Sequence, residues 1–339
     1  MGVSSHDLFG SAGDADVAVP GSYGIPPQGV RLPPGTRLGP VRLQVAHLDR
    51  SRAFYEGVLG LHVTRIDADR MMLTAHGSDD ALIVLHERQG ARPAPRRGRL
   101  GLFHVAILLP YRAALGRFVQ QLADIGVRAG AGDHLVSEAF YLQDPDNLGI
   151  EVYADRPRSS WRRVGRELQM ATDPVDVDDL VRAAEGRRWE GMPSGTVIGH
   201  VHLHVGDLAT AAGFYGEGLG FDRMAWSYPG ALFLAADGYH HHVGLNTWAG
   251  PGAQPPGEDE AQLLEWSVVL PEAAQVAAVA ANLAGRGYGA NVAGARSADA
   301  TEHAVGGDAR PIVVRDPWGT RVRILSAATA NGRRSATAR

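Results

Sequence analysis

The chain repeats itself, and that limits its fold more than any other feature. "GPVRLQVAHLDRSRAFYEGVLGLHV", from Gly39, and "GHVHLHVGDLATAAGFYGEGLGFDR", from Gly199, share a β-like run, an aspartate, a helical stretch with an aromatic pair, and a Leu-Gly stop. The pairs Phe54/Tyr55 and Phe214/Tyr215 fall at equivalent places 160 residues apart. A second repeat interleaves with the first. "LFHVAILLPYRAALGRFVQQLADIGV", from Leu102, and "LLEWSVVLPEAAQVAAVAANLAGRGY", from Leu263, each combine a strand-like run, a proline and a helix-like run. Both lead to an Asp-Pro turn and another apolar run, "YLQDPDNLGIEVYAD" at 141–155 and "PIVVRDPWGTRVRIL" at 311–325. Self-similarity on this scale means copies of one supersecondary unit. Four βαβββ units follow, at 36–92, 98–156, 196–250 and 260–327.

One such unit leaves an apolar sheet face exposed, so units are expected to pair face to face. The expectation is an α+β fold of two paired, cavity-enclosing β-sheet modules. In chain order these are a first domain at 36–156, a connector at 157–195 and a second domain at 196–327. Within the connector, "DPVDVDDLVRAA" offers aspartate caps and a short helical run. Residues 1–33, rich in Gly, Pro and Ala, read as a flexible arm, and 328–339 as a tail. Phe54, Tyr55, Phe214 and Tyr215 read as core residues; Trp226 and Tyr228 fit either a cavity wall or a sheet edge.

Composition removes several chemistries. The 339 residues contain no cysteine and no lysine, which excludes disulfides, thiolate ligands and Schiff-base catalysis. A metal would have to be held by histidine, carboxylate or water. A net charge of −4 gives no reason to expect nucleic acid, and no apolar run reaches transmembrane length. The start lacks the basic and apolar segments of a secretory signal, so cytoplasm is the expected compartment. "RPAPRRGR" at 92–99 is a short basic link between units one and two, without the interleaved aromatics of a nucleic-acid surface.

Six of the 14 histidines lie in "GHVHLHVGDL" and "GYHHHVGLN". Strand alternation puts His200, His202 and His204 on one side of the first strand of unit three. It puts His240 and His242 together near that unit's last strand, with His241 pointing away. Unit two carries His104 in its first strand and Glu151, flanked by Ile150 and Val152, in its last. A glutamate in such surroundings needs a partner. Unit four has Glu265 and Arg323 at the matching positions, a set suited to an ordinary charge pair. Two imidazoles and a carboxylate form the facial triad that holds Fe(II) with open coordination positions. His104, Glu151 and one of His200 or His202 supply it if units two and three close around a shared cavity. Histidines satisfied by the backbone are the plainer alternative.

From 36 to 327 the chain resembles the vicinal oxygen chelate superfamily, which includes glyoxalase I, extradiol dioxygenases and bleomycin-binding proteins. It is most similar to catechol-2,3-dioxygenase-like members. The resemblance rests on the repeated "FY…LG" and "DP" units, and on "GHVHLHVGD", "FHVAI" and "IEVY". It implies metal ligands His104, Glu151 and His200, since the family's iron histidine follows a glycine at a unit start. From "HHVGL" it implies His242 as acid–base group, and from "DHLVSEAFYLQDP" it implies His134 and Tyr141 on the substrate side. The implied activity is extradiol cleavage of a small aromatic diol by O2 at Fe(II), and a homodimer is compatible with the family. Glyoxalase-type isomerase or lyase chemistry with Mn(II), Zn(II) or Ni(II), or metal-free binding of a small molecule, are the alternatives. One departure stands out: the glutamate-bearing unit is second and the isolated histidine is in the third. The site must therefore form between the central units, with units one and four as a metal-free pair.

Overall fold

The computed structural model describes residues 2–9, 15–292 and 310–327; the tail expected at 328–339 lies outside them. Unit one contains β1 (Val41–Val45), α1 (Leu48–Tyr55), β2 (His62–Ile66), β3 (Arg70–Thr74) and β4 (Ala81–Glu87). Unit two contains β5 (Gly101–Leu108), α2 (Arg112–Asp124), β6 (Gly130–Asp133), β7 (Ser137–Gln143) and β8 (Gly149–Asp155). Unit three contains β9 (Val197–His204), α3 (Leu208–Ala211) continued by a π-helical stretch, Ala212–Gly218, then β10 (Asp222–Ala225), β11 (Ala231–Ala235) and β12 (Val243–Asn246). Unit four contains β13 (Gln262–Leu270), α4 (Ala273–Gly285), β14 (Ala290–Val292), β15 (Ile312–Arg315) and β16 (Arg321–Ser326).

Two large curled sheets result. The first runs β10-β11-β12-β9-β5-β8-β7-β6, and the second β14-β15-β16-β13-β1-β4-β3-β2, with Arg37–Leu38 added along β13. Units two and three share one sheet and units one and four the other, so each sheet takes one unit from 36–156 and one from 196–327. The sheets thus cut across the division into sequential halves. Within each sheet the two units join edge to edge: β5 and β9 are antiparallel neighbours, as are β1 and β13. The reason is the first strand of each unit, whose backbone needs a partner on its open side.

Alternation then separates two faces. Leu43, Val105, Val201 and Trp266 are completely buried in one apolar core shared by both sheets, together with Tyr55, Phe118, Phe214 and Tyr215 from the helical segments. Tyr55 also donates to Asp144 (3.0 Å), and Tyr215 to Asp316 (2.8 Å). Each repeated aromatic pair therefore latches onto the Asp-Pro turn of the next unit, which belongs to the other sheet. The aspartates fix those turns by accepting backbone N–H groups.

The opposite face of the first sheet is covered by segments expected to be an arm and a connector. Asp16–Val17, Arg162–Val164 and Glu167–Leu168 form a three-stranded sheet. Ala18, Tyr23, Trp161, Leu168 and Met170 pack with Phe233 and Tyr239 in a second apolar cluster. Residues 15–33 are therefore not a loose arm: Tyr23 and Leu32 are buried, and Ala18 N–H donates to the Trp161 carbonyl. Their apolar side chains are covered by the connector and unit three, segments far away in the sequence. No helix among the described residues is long and apolar enough to cross a membrane.

Candidate metal centre

The covered face of the first sheet gathers the histidines. His202 lies opposite His104 across β9 and β5, while Ala106 stands between His200 of β9 and Glu151 of β8. Ala106 is completely buried and ends at Cβ, so the longer side chains on either side meet above it. A bulge at Gly199 sets the register of His200. A Cβ at Gly199 would lie 1.8 Å from the Tyr153 hydroxyl, so this position accepts no side chain without displacing that tyrosine.

Three donor atoms converge. His104 Nε2 is 2.9 Å from Glu151 Oε2, His200 Nε2 is 3.2 Å from the same oxygen, and the two nitrogens are 3.3 Å apart. All three residues are buried. Ligand bonds of about 2.1 Å at right angles hold neighbouring donor atoms about 3.0 Å apart, so the triangle has the size one cation requires. Burial raises the Glu151 carboxyl, but the His200 and His104 imidazoles and their hydrogen bonds outweigh it and hold the carboxyl well below its usual range. Burial pushes His200 down to about 4, against the pull of Glu151. A carboxylate beside a neutral imidazole is the protonation state that metal binding needs. The donor set and its spacing fit a divalent ion.

Around the triangle, Tyr141 faces Glu151 across β7 and β8, and its hydroxyl lies 2.5 Å from His134 Nε2. His134 Nδ1 donates to the Ala171 carbonyl (2.7 Å), so Nε2 accepts from the tyrosine. Burial first, then Glu151, holds the Tyr141 hydroxyl well above its ordinary value. The two substrate-side residues expected from sequence therefore meet beside the triad. His204 Nδ1 donates to Asn246 Oδ1 (2.6 Å), a bond across the sheet. His202 Nε2 is buried without a hydrogen-bond partner among the described residues, and its ring lies against His104, Phe233 and Trp248.

The structure corrects the triple histidine. Residues 240–242 precede β12, so the alternation expected for a strand does not apply to them. His241, not His242, packs on His200, with ring centroids 3.9 Å apart. The His242 ring instead lies against Tyr239 and Phe221, and its Nδ1 accepts the Ala236 N–H at 3.2 Å. Behind His241 runs a chain that sequence reasoning missed. His240 Nε2 donates to Asp155 (2.9 Å), leaving His240 Nδ1 to accept from His241 Nδ1 at 2.7 Å. Tyr239 donates to the same Asp155 oxygen (3.1 Å) and bonds to Tyr153 (2.7 Å). The clue in sequence was the third adjacent histidine; Asp155 had none. Phe103 was missed too. It is the extra residue of a bulge in β5, which turns its ring toward His104, His202 and His204.

In the second sheet the equivalent positions hold charge pairs. Glu265 is bound by Arg323 (2.6 Å) and Arg321 (3.1 Å), with Arg42 at 3.4 Å.

A pair of joined βαβββ units curled around a two-histidine, one-carboxylate cluster is the architecture of a superfamily in which one scaffold serves several chemistries. The chain belongs to the glyoxalase/bleomycin resistance protein/dioxygenase superfamily, whose family model matches residues 37–152 and 197–324. Among individual relatives, it is 44% identical over 257 residues to a catechol-2,3-dioxygenase of Bacillus subtilis (strain 168), covering 75% of this chain and 89% of that protein. Among solved structures, glyoxalase I from Zea mays has a similar fold: TM-score 0.51, 15% identity, 87% of this chain and 93% of that one. A structure from Bacillus subtilis subsp. subtilis str. 168 matches with TM-score 0.55 and 14% identity, over 88% of this chain and 86% of that one.

Proposed function

We propose that the protein is an extradiol ring-cleaving dioxygenase, with His104, Glu151 and His200 as ligands to Fe(II), a small aromatic diol as substrate and O2 as co-substrate. The observation that carries this reading is the triangle of donor atoms, with edges of 2.9, 3.2 and 3.3 Å. The catechol-2,3-dioxygenase relative supports the same chemistry. A glyoxalase-type site with a second carboxylate has less support: at the end of β12, beside His204, the chain carries the amide Asn246, which is engaged with His204 and the Trp248 N–H.

Fe(II) held by His104, Glu151 and His200 would supply the Lewis acidity and redox chemistry that bring the diol and O2 to reaction. The chain's own groups handle the proton and the ring. With His241 Nδ1–H donating to His240, the lone pair of His241 Nε2 is available to take a proton from the diol. Transfer along His240 then delivers a proton to Asp155, whose side chain is 30% exposed. This role passes from His242, the residue implied by resemblance, to His241. Tyr141, oriented by His134, offers its hydroxyl on the other side of Glu151. Phe103, Phe233 and Trp248 surround His202 and provide an apolar bed for the ring.

The test is metal analysis of anaerobically purified protein, followed by oxygen uptake with a panel of catechols. Stoichiometric iron and oxygen-dependent ring-cleavage product are expected, and both should vanish in Glu151→Gln and His104→Ala. Retention of a different metal with turnover of a thiol adduct in the absence of oxygen would replace this reading with an isomerase one.

A further inference from the structure

The basic link at 92–99 has no part in the chemistry above, yet it forms one wall of a cavity of about 110 Å³ at the ends of the strands that carry the triad, where the first sheet meets Ala261 and Gln262 of unit four. Gln143 and Gly149 line this cavity, two residues beyond Tyr141 and Glu151 on the same strands. At about 3.3 Å per residue, it begins roughly 7 Å from the triad. Phe103 and His204 line it as well, and Phe103 also touches His104, so the cavity and the triad share a wall.

The charges are unbalanced there. Of the four arginines in the link, Arg99 is held by Glu260 through two bonds of 2.8 and 2.9 Å, and Arg92 by Asp259 and Glu260. Arg96 and Arg97 are exposed, line the cavity, and make no ion pair or hydrogen bond among the described residues. No aspartate or glutamate lines the cavity. The backbone around these two arginines is nonetheless fixed, by Ala94 N–H on the Asp146 carbonyl and Gly98 N–H on that of Ala249. The link thus presents two uncompensated guanidiniums to a small space that adjoins the proposed catalytic face. A guanidinium matches a carboxylate in charge and in hydrogen-bond geometry.

Resting on the dioxygenase reading, we infer that this cavity is a subsite for a carboxylate, and that the substrate is an aromatic diol with a short acidic side chain opposite its hydroxyls. A ring held at the triad directs that substituent along the strands toward Arg96 and Arg97. The volume suits a side chain of a few non-hydrogen atoms.

The experiment compares 3,4-dihydroxyphenylacetate with 4-ethylcatechol in the wild type, Arg96→Ala/Arg97→Ala and Arg96→Lys/Arg97→Lys. The ratio of kcat/KM for the acid to that for the neutral diol should fall about tenfold in the alanine variant and recover in part with lysine, as expected for two partly screened charges. A second readout needs no turnover: calorimetric binding of phenylacetate and phenylacetamide to the full-length protein. The acid should bind more tightly, and salt or the alanine substitutions should abolish its advantage. An unchanged kcat/KM ratio in an active enzyme, or equal binding of acid and amide, overturns the subsite. If no diol is cleaved but arginine-dependent acid binding persists, the subsite stands and the dioxygenase reading fails.

Discussion

Asp144 → Asn should change how stability depends on pH. Asp144 lies in the Asp-Pro turn of unit two and is buried, and it accepts from Tyr55 Oη (3.0 Å) and from the N–H groups of Asp146 and Leu148 (2.8 Å each). Burial pushes its carboxyl from 3.8 to about 6, despite those three donors, and Asp146 nearby adds to the rise. The folded state therefore holds this proton more tightly than the unfolded chain. The resulting stabilisation is fully present below pH 3.8, declines as pH rises toward about 6, and is gone above that. At about 1.4 kcal/mol per pH unit, the swing is about 3 kcal/mol. Asparagine keeps an oxygen for the two backbone donors and cannot ionise. Urea unfolding at a series of pH values from about 4 to 7.5 should show the wild type losing about 2.5 kcal/mol relative to the variant, the rest of the swing lying below pH 4. Most of that loss falls in the lower part of this range. Parallel curves would refute the argument. Asp316, raised by burial in the equivalent latch to Tyr215, should give the same sign when changed to asparagine.

Other expectations follow from the site. Ala106→Leu places a branched side chain where His200 and Glu151 meet; overpacking should cost about 1–3 kcal/mol. Metal affinity should drop at least tenfold, measured by competition with a chelator. Gly199→Ala brings a methyl group against the Tyr153 hydroxyl and should disturb the bond to Tyr239. A crystal structure with Tyr153 unmoved would refute this. His241→Gln should lower kcat far more than KM, whereas His242→Gln, away from the triad, should act mainly on thermal stability. Equal kinetic effects of the two would contradict the assignment of the proton carrier to His241. Asp155→Asn should enlarge the solvent isotope effect on kcat if the His240 chain carries the proton outward, and an unchanged effect would remove that route.

Much of this was legible in the residues. The duplicated "FY" pairs marked the units, and the isolated glutamate in "IEVY" marked a buried charge in need of partners. Strand periodicity put His200, His202 and His204 on one face, where they are found, opposite the buried Val201 and Leu203. The same rule failed at His240–His242, because the chain there turns before the strand begins and period-two alternation holds only for extended backbone. It also concealed Phe103, since a bulge adds a residue and changes the side on which the next one falls.

The sequence by itself determined the βαβββ unit, its four copies and the residue types able to hold an ion, because these depend on local periodicity and on chemistry carried within each segment. The distribution of ligand residue types already implied that units two and three pair; only the tertiary structure decided that they join edge to edge in one sheet. Edge pairing of β5 with β9 sets His104 and Glu151 beside His200, from which they are 96 and 49 positions away in sequence. It also brought residues 15–33 and 157–175 over the site and turned His241 toward His200. Those outcomes rest on contacts between distant segments, and apolar faces that are interchangeable in composition acquire their partners only when backbone edges and side-chain volumes are matched in space.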